Sequence, residues 1–570
     1  MEQKDGLKKR KEQIFFFLMG AFLGCICFLA IYGIKVLDSS YTDWLFASEQ
    51  DLYQHYIGWC HYRNTPWQFP IGMIDSLAKP LSVSIIWTDS IPLFALFFKL
   101  FSPFLPIEFQ YFGFFGLFSF SMQGGFSALL IGRLTHRKSL GLLGALLCIL
   151  SFPMLQRMFY HTALGSQWLI FLSLYVWLER RRWKGIGKIC LIWAGIGALT
   201  VSLHSYFLPM TGILMMGMAI HLYLEERDKK RSLGIISSYI GGAAAALWIW
   251  GAFEGSSSPV GEGLGTFSSN LNTFYNSQGH SSLLKGLPLY FDWQEEGFGY
   301  LGLGGLFLVG IMALFPLRRV VLVYKGQAYP SLTGKGMLKE CKKAVKRHPF
   351  RLLLFLASFI LFCYAVSPIV TWNEIEIIHV PLPSFVERML NIFRSSGRLI
   401  WLPMYMIILT SIVFLHRRLR GRESFFLLLL AVLLQWIDIR EYAMEKGEYF
   451  AKREHKYQIM WQKTLIDNDE QRYKGFQFMY TDNDILLPTA YYAYLKDMWV
   501  SNYYFARSYE EEVERRIEQC QKELLEGEVS GDVLYVFQEG TKGLENYPLH
   551  YTQWYGHIVG TRDKIDNGKK

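Results

Sequence analysis

Charge is scarce in this 570-residue chain. Only 19% of residues are charged, against about 25% in soluble domains. Length alone would allow three or four soluble domains at about 150 residues each, but the shortage of charge argues against them. Cysteine is sparse too, with 8 residues, which excludes a secreted scaffold held by disulfides. Internal repeats, low-complexity tracts and lipidation signals are absent. The sequence also lacks a contiguous basic face with base-reading or stacking groups, so the net charge of +10 does not indicate nucleic acid. Apolar residues, by contrast, are abundant. They make up 51% of the chain, with 44 Phe, 33 Tyr and 17 Trp, and mean hydropathy is +0.18. Disorder is excluded on that ground, and the remaining class is a polytopic membrane protein.

The apolar residues fall into runs long enough to cross about 30 Å of hydrocarbon. The first covers 14–36, behind Lys4, Lys8, Lys9, Arg10 and Lys11. It is too long for a signal peptide and no small-residue cleavage site follows it, so it reads as a retained span. Ten further runs cover 109–134, 140–155, 163–178, 186–203, 206–224, 233–253, 300–317, 352–369, 399–415 and 425–436. About eleven transmembrane helices are therefore expected. The run 91–105 is apolar but short, and it contains Lys99, Pro92 and Pro103. Read as a helix lying in the outer interface, it leaves roughly thirty basic residues on one side of the membrane and fewer than about ten on the other, as the positive-inside rule requires. The N-terminus is then cytoplasmic, and the loops 37–108, 254–299 and 370–398 lie outside.

Domain organisation follows. Residues 1–438 read as the transmembrane domain, with 37–108 as its large outer loop, and 439–570 as a small extracytoplasmic α/β domain. Within the latter, 476–480 and 533–537 look like strands. Ser508 with Glu511 resembles a capping box that opens a helix to Leu525, ended by Gly527. This tail has no catalytic triad or metal-ligand spacing. Of the cysteines, Cys60 and Cys520 fall outside, Cys341 falls in the cytoplasm, and the rest lie in spans.

Few ionisable groups lie within the spans, where transporters usually carry them. They gather in the first outer loop as Asp43, Glu49, Asp51, His55, His61, Arg63 and Asp89, interleaved with Trp44, Trp59, Trp67 and Trp87. The tryptophans suit interface anchors, which leaves the acids and histidines to be explained. Asp89, just before Ser90 and Pro92, also stands where a helix N-cap would. Other outer span ends carry Arg157 and His161, His204, and the pair Arg394 and Arg398. Arginine's planar fork suits phosphate. At a spacing of four, Arg394 and Arg398 would share one face of a helix. Each of these groups has a plainer role available, in solvated loops, backbone hydrogen bonds or interface anchoring.

This layout resembles the GT-C glycosyltransferases, integral-membrane enzymes that use polyprenyl-phosphate-linked sugars. The stretch SIPLFALFFKLFSPFLPIEFQYFGFF…LLIGRLTHRK is similar to their interfacial-helix and return-span unit, and LQRMFYHTAL sits where they place donor-facing arginines. More narrowly, DLYQHYIGWCHYRNTPWQFPIG, SIIWTDSIPLFALFFK and FRSSGRLIW resemble the bacterial domain-of-unknown-function 6311 type. The resemblance implies an all-α GT-C-like fold in a bacterial plasma membrane. It also implies an inverting transfer of a sugar from a polyprenyl-phosphate donor to a cell-envelope glycan or glycolipid acceptor on the outer face. Under it, the loop acid falls on Asp51, with Asp89 as a second acid. The narrow family places Gly directly before the acid, whereas here Glu49 and Gln50 precede Asp51, a departure that leaves room for Glu49 to share its role. Arg157, Arg394, Arg398 and Lys99 would hold the donor phosphate, and His55, His161 and His204 would bind phosphate or sugar. Some GT-C enzymes use a divalent cation (Mg or Mn), but the first loop contains no Asp-X-Asp. The alternatives are a transporter or flippase of lipid-linked sugars or polysaccharide, and a non-catalytic envelope-assembly protein.

Overall fold

The computed structural model describes residues 2–47, 50–183, 185–254, 263–324, 349–452, 472–481, 485–505, 510–554 and 556–564. They form two compact units. One comprises Met1–Leu37, Phe112–Ala244 and Val260–Lys452, and the other Asp38–Tyr111, Ala245–Pro259 and Arg453–Lys570.

The first unit is helical. Each of the eleven apolar runs coincides with a helix. Seven helices among the described residues are long and apolar enough to cross a membrane: Arg10–Tyr32, Phe112–Thr135, Ile186–Leu203, Phe207–Glu226, Lys229–Ile249, Pro349–Val366 and Ser396–Arg418. Lys138–Ile149, Thr162–Leu178 and Gly302–Phe315 are shorter. The run 140–155 divides because Leu150 leaves the helical region and Pro153 opens a new turn, Phe152–Arg157.

The N-terminal helix lies along Phe112–Thr135 at near-backbone contact. A Cβ on Gly20 would fall 2.2 Å from the Gly124 carbonyl oxygen, and one on Gly24 would fall 2.1 Å from that of Phe120. Small residues of this kind let apolar helices associate by close packing. Polar groups join other helices. Tyr405 donates to Gln167 at 2.5 Å and accepts from Gln123 at 2.8 Å.

The segment 268–298 is irregular, yet its amides are buried and paired. Asn270 Nδ2 donates to Gln294 Oε1, Thr371 Oγ1 and the Asn373 carbonyl, and Asn272 Nδ2 donates to Asn373 Oδ1. This network roots an antiparallel hairpin, Ile369–Trp372 with Ile375–His379. A short helix, Ser384–Leu390, follows it.

The second unit joins the first loop to the C-terminal sheet. Its five strands run in the order Trp499–Val500, Gly475–Phe478, Val533–Gln538, His557–Thr561, His550–Trp554; the first three are parallel and the last two pairings antiparallel. Gly475–Phe478 and Val533–Gln538 coincide with the two segments expected to be strands, and their residues are buried almost throughout. The charged helix Glu510–Leu525 ends ahead of Gly527, whose φ is +86°. Ser508, the expected cap, lies outside the described residues.

Helix Leu486–Leu495 packs on the loop helix Gln50–Asn64. His61 Nε2–H donates to the Ala490 carbonyl at 2.8 Å, leaving Nδ1 to accept from the Ser76 hydroxyl at 2.7 Å. Tyr503 donates to the Gln54 carbonyl at 2.7 Å. Arg63 serves the loop itself, donating to the carbonyls of Ser102, Leu105, Pro106 and Ile107. The run 91–105 holds only the eight-residue helix Pro92–Lys99 and a 3-10 turn. At 1.5 Å per residue the helix spans about 12 Å, too little to cross a bilayer. No disulfide joins cysteines among the described residues.

Candidate functional site

In the second unit, Asp51 sits in the first turn of Gln50–Asn64 and is partly exposed. A carboxylate there is favoured by the helix dipole. His55, four residues on, lies on the same helix face and is buried. Its Nε2 stands 3.9 Å from Asp89 Oδ2, so the structure brings together two of the loop groups singled out in the sequence. Glu49 lies outside the described residues.

The backbone around Asp89 is unusual. Asp89 and Ile91 both have φ of +52°, and a β-branched residue in the left-handed region is a genuine outlier. Such strain persists only where surroundings over-determine it, and here they do. Ser90 donates to the His55 carbonyl at 2.6 Å and shares a 2.7 Å contact with Thr88. Tyr111 donates to the Ser90 carbonyl. Gly58 makes the close approach possible, since a Cβ there would fall 2.5 Å from Ser90 Oγ and Thr88 Oγ1. Asp89 is not an N-cap. It closes the 3-10 turn Ile85–Thr88, and the next helix is preceded by Ile91.

Lys99 is buried at the end of Pro92–Lys99, with Nζ 4.1 Å from the centre of the Tyr62 ring and 5.0 Å from that of Trp67. Burial pulls its pKa down to about 8, partly opposed by Asp75. Within this unit His55 and Asp89 offer one nitrogen and one carboxylate. Mg or Mn takes a shell richer in oxygen than these two groups supply.

In the first unit, Arg157 and Arg398 converge on a residue that the sequence reading missed, Glu296. Arg157 grips it with both terminal nitrogens, Nη1 to Oε1 and Nη2 to Oε2, each at 3.2 Å. Arg398 Nε donates to Oε2 at 2.6 Å, and His161 Nε2 lies 3.4 Å from Oε1. Arg157 Nη2 also donates to the Glu295 carbonyl at 3.1 Å, and its Nε has no hydrogen-bond partner among the described residues. Arg157 is 1% exposed and Glu296 6%, so these charges interact with little solvent screening. Burial alone would raise the Glu296 pKa. Arg157, Arg398 and His161 outweigh it and hold the carboxyl well below its usual range.

The cluster gathers short elements: Phe152–Arg157, the 3-10 turn Asp292–Gly297 that carries Glu296, and the 3-10 turn Ser396–Ile400 that carries Arg398.

Arg394 does not join it. Residues 391–400 form two 3-10 turns broken at Ser395, not one helix, so the expected shared face is lost. Arg394 lies over the Phe267 ring at 5.4 Å, while the Arg398 guanidinium covers Tyr206 at 4.6 Å. His204 closes Ile186–Leu203 and its Nδ1 accepts from the Tyr206 backbone N–H at 3.2 Å. It therefore helps to hold Tyr206, whose ring the Arg398 guanidinium covers.

The chain is mostly helical, with seven helices among the described residues long and apolar enough to cross a membrane, and it carries a small sheet towards its C-terminus. The chain belongs to the family described as "Domain of unknown function (DUF6311)", whose model matches residues 21–440, and the model of the "DUF6311 C-terminal domain" matches residues 461–562. No curated protein matches the chain.

Proposed function

We propose that this protein is an inverting membrane glycosyltransferase of GT-C type. On this reading about eleven spans lie in a bacterial plasma membrane, and the C-terminal domain and first loop are extracytoplasmic. A sugar passes from a polyprenyl-phosphate donor to a glycan or glycolipid acceptor of the cell envelope. The observation that carries the reading is the convergence of Arg157, Arg398 and His161, from segments far apart in sequence, on one buried locus. Paired guanidinium groups of this kind suit a phosphate ester and the charge that develops on it as the leaving group departs.

Asp51 is assigned the role of base, accepting the proton of the acceptor hydroxyl as its oxygen attacks the anomeric carbon. The bond from that carbon to the donor phosphate oxygen breaks, and the electron pair leaves with the lipid phosphate. His55 and Asp89 orient the acceptor.

The test is transfer of labelled sugar from purified polyprenyl-phosphate donors by the full chain in nanodiscs. Asp51→Asn should lower turnover about 10²- to 10⁴-fold, the usual contribution of a positioned base. Equal turnover in wild type and variant removes Asp51 from the mechanism. The non-catalytic envelope-assembly reading draws on one observation: Glu296 already engages both guanidinium groups. It predicts no transfer by the wild type from any donor tried.

A further inference from the structure

Residues 369–393 combine a rigid root with a bare tip. The root is locked by buried polar groups. Thr371 Oγ1 accepts from Asn270 and Gln294, the Leu271 N–H donates to the Thr371 carbonyl, and the amides of Asn270 and Asn272 hold Asn373. Tyr364 donates to the Leu390 carbonyl at 2.8 Å, tying the Ser384–Leu390 helix back to Pro349–Val366. Beyond the root, both faces of the strand Ile375–His379 are open. Ile375 is 67% exposed, Ile378 54%, Phe385 70% and Met389 65%. A two-stranded hairpin is marginal in water by itself, and an exposed apolar patch of this kind marks an interaction surface.

The chain restricts what covers it. Pro349–Val366 ends three residues before the hairpin, and Ser396–Arg418 begins three residues after Phe393; both are long and apolar enough to cross a membrane. A segment tethered at both ends to membrane-crossing helices stays at one face of the bilayer. Phe355 and Phe359 of Pro349–Val366 are exposed as well. Among the described residues the strand Ile375–His379 pairs along one edge only, and the unpaired N–H and C=O groups of a strand edge are excluded from the hydrocarbon centre, so the available depth is the interface.

Charge defines the kind of surface. Residues 369–393 hold three acids (Glu374, Glu376, Glu387) against one base (Arg388), a formal balance of −2 with His379 neutral. Anionic headgroups therefore repel this segment, and its attachment is apolar.

We infer that the hairpin and helix of residues 369–393 form a preorganised membrane-interface anchor that inserts apolar side chains among lipid acyl chains without using headgroup charge. The inference rests on the membrane reading of the flanking helices and is independent of any glycosyl transfer.

The test places the photocrosslinker p-benzoylphenylalanine at Ile377, at Phe385 and, as a control, at the exposed Glu518. The full chain is reconstituted in nanodiscs containing alkyne-tagged phosphatidylcholine. Lipid adducts at 377 and 385 should exceed those at 518 at least fivefold. The yield should change less than twofold when half the lipid is phosphatidylglycerol or when salt is raised from 50 to 500 mM. Adducts to a second copy of the chain, or lipid adducts no higher than at 518, overturn the anchor. A severalfold rise with phosphatidylglycerol overturns its apolar character. None of these readouts depends on catalysis, so the anchor and the transferase reading fail separately.

Discussion

Replacing Glu296 by Gln removes one negative charge from a buried site while keeping its size. Two guanidinium groups, from Arg157 and Arg398, then face each other with their shared carboxylate gone. Breaking a buried ion pair by deleting one partner typically costs about 3–5 kcal/mol, because the remaining charge is left desolvated. Glu295 still acts on Arg157 through space, so the expected cost is the lower end, about 3 kcal/mol. In a chain this long each kcal/mol moves the melting temperature by no more than about 2 °C. At about 2.1 cal/mol/K of unfolding entropy per residue, a fall of about 2–3 °C is expected in differential scanning fluorimetry of the detergent-solubilised protein.

The pH dependence has a definite sign. The folded-state pKa of Glu296 lies well below its unfolded value of about 4.3, so its stabilisation is fully present above about pH 4.3 and is lost as pH falls toward the folded pKa. The gap between wild type and Glu296→Gln should therefore stay constant from pH 5 to 8 and narrow below pH 4. A variant that melts within 1 °C of wild type at pH 7 would refute the claim that the arginines depend on this carboxylate.

Gly58→Ala should cost about 1–3 kcal/mol through overpacking, since its methyl group would land on Ser90 and Thr88; an unchanged melting temperature would contradict the close approach described there. Burial lowers the His61 pKa to about 4, with the hydrogen bond to Ala490 opposing. Between pH 6.5 and 4 the unfolded chain therefore binds a proton that the folded chain does not, and stability should fall by up to about 3 kcal/mol across that window. His61→Gln should flatten that part of the pH profile, and an identical slope in both proteins would exclude His61 as its source. After reductive ¹³C-methylation, one lysine signal should titrate near pH 8 and vanish in Lys99→Arg; Lys99 titrating with the surface lysines above about pH 10 would contradict its burial.

The helices were legible because hydropathy is a property of contiguous residues. Each apolar run became a helix, and the strands at 475–478 and 533–538 lie within a residue or two of the segments expected at 476–480 and 533–537. Contacts between distant segments were less legible. Arg157, His161 and Arg398 were picked out by residue type and position at span ends, but Glu296 was not. In WQEEGFGY it reads as one of two acids in a polar loop, and nothing local distinguishes the buried one. A usable signal was present: arginines gathered at apolar helix ends require a counter-charge, and few acids border those ends. Arg394 misled because a spacing of four implies a shared face only on a helix, and Ser395 breaks the chain into two turns. The pairing of His55 with Asp89 depends on backbone at positive φ, which residue type does not announce for Asp89 and disfavours for Ile91.

The interleaved make-up of the second unit bears on how the protein is made. His61 meets its carbonyl acceptor on Ala490, 429 positions downstream. At a synthesis rate of about 5–20 residues per second, the first loop waits roughly 20–90 s for the segment that completes it. During that interval its half-built core stands open to chaperones and proteases. Truncation near the 3′ end of the reading frame would thus strike the earliest loop as hard as the last strand.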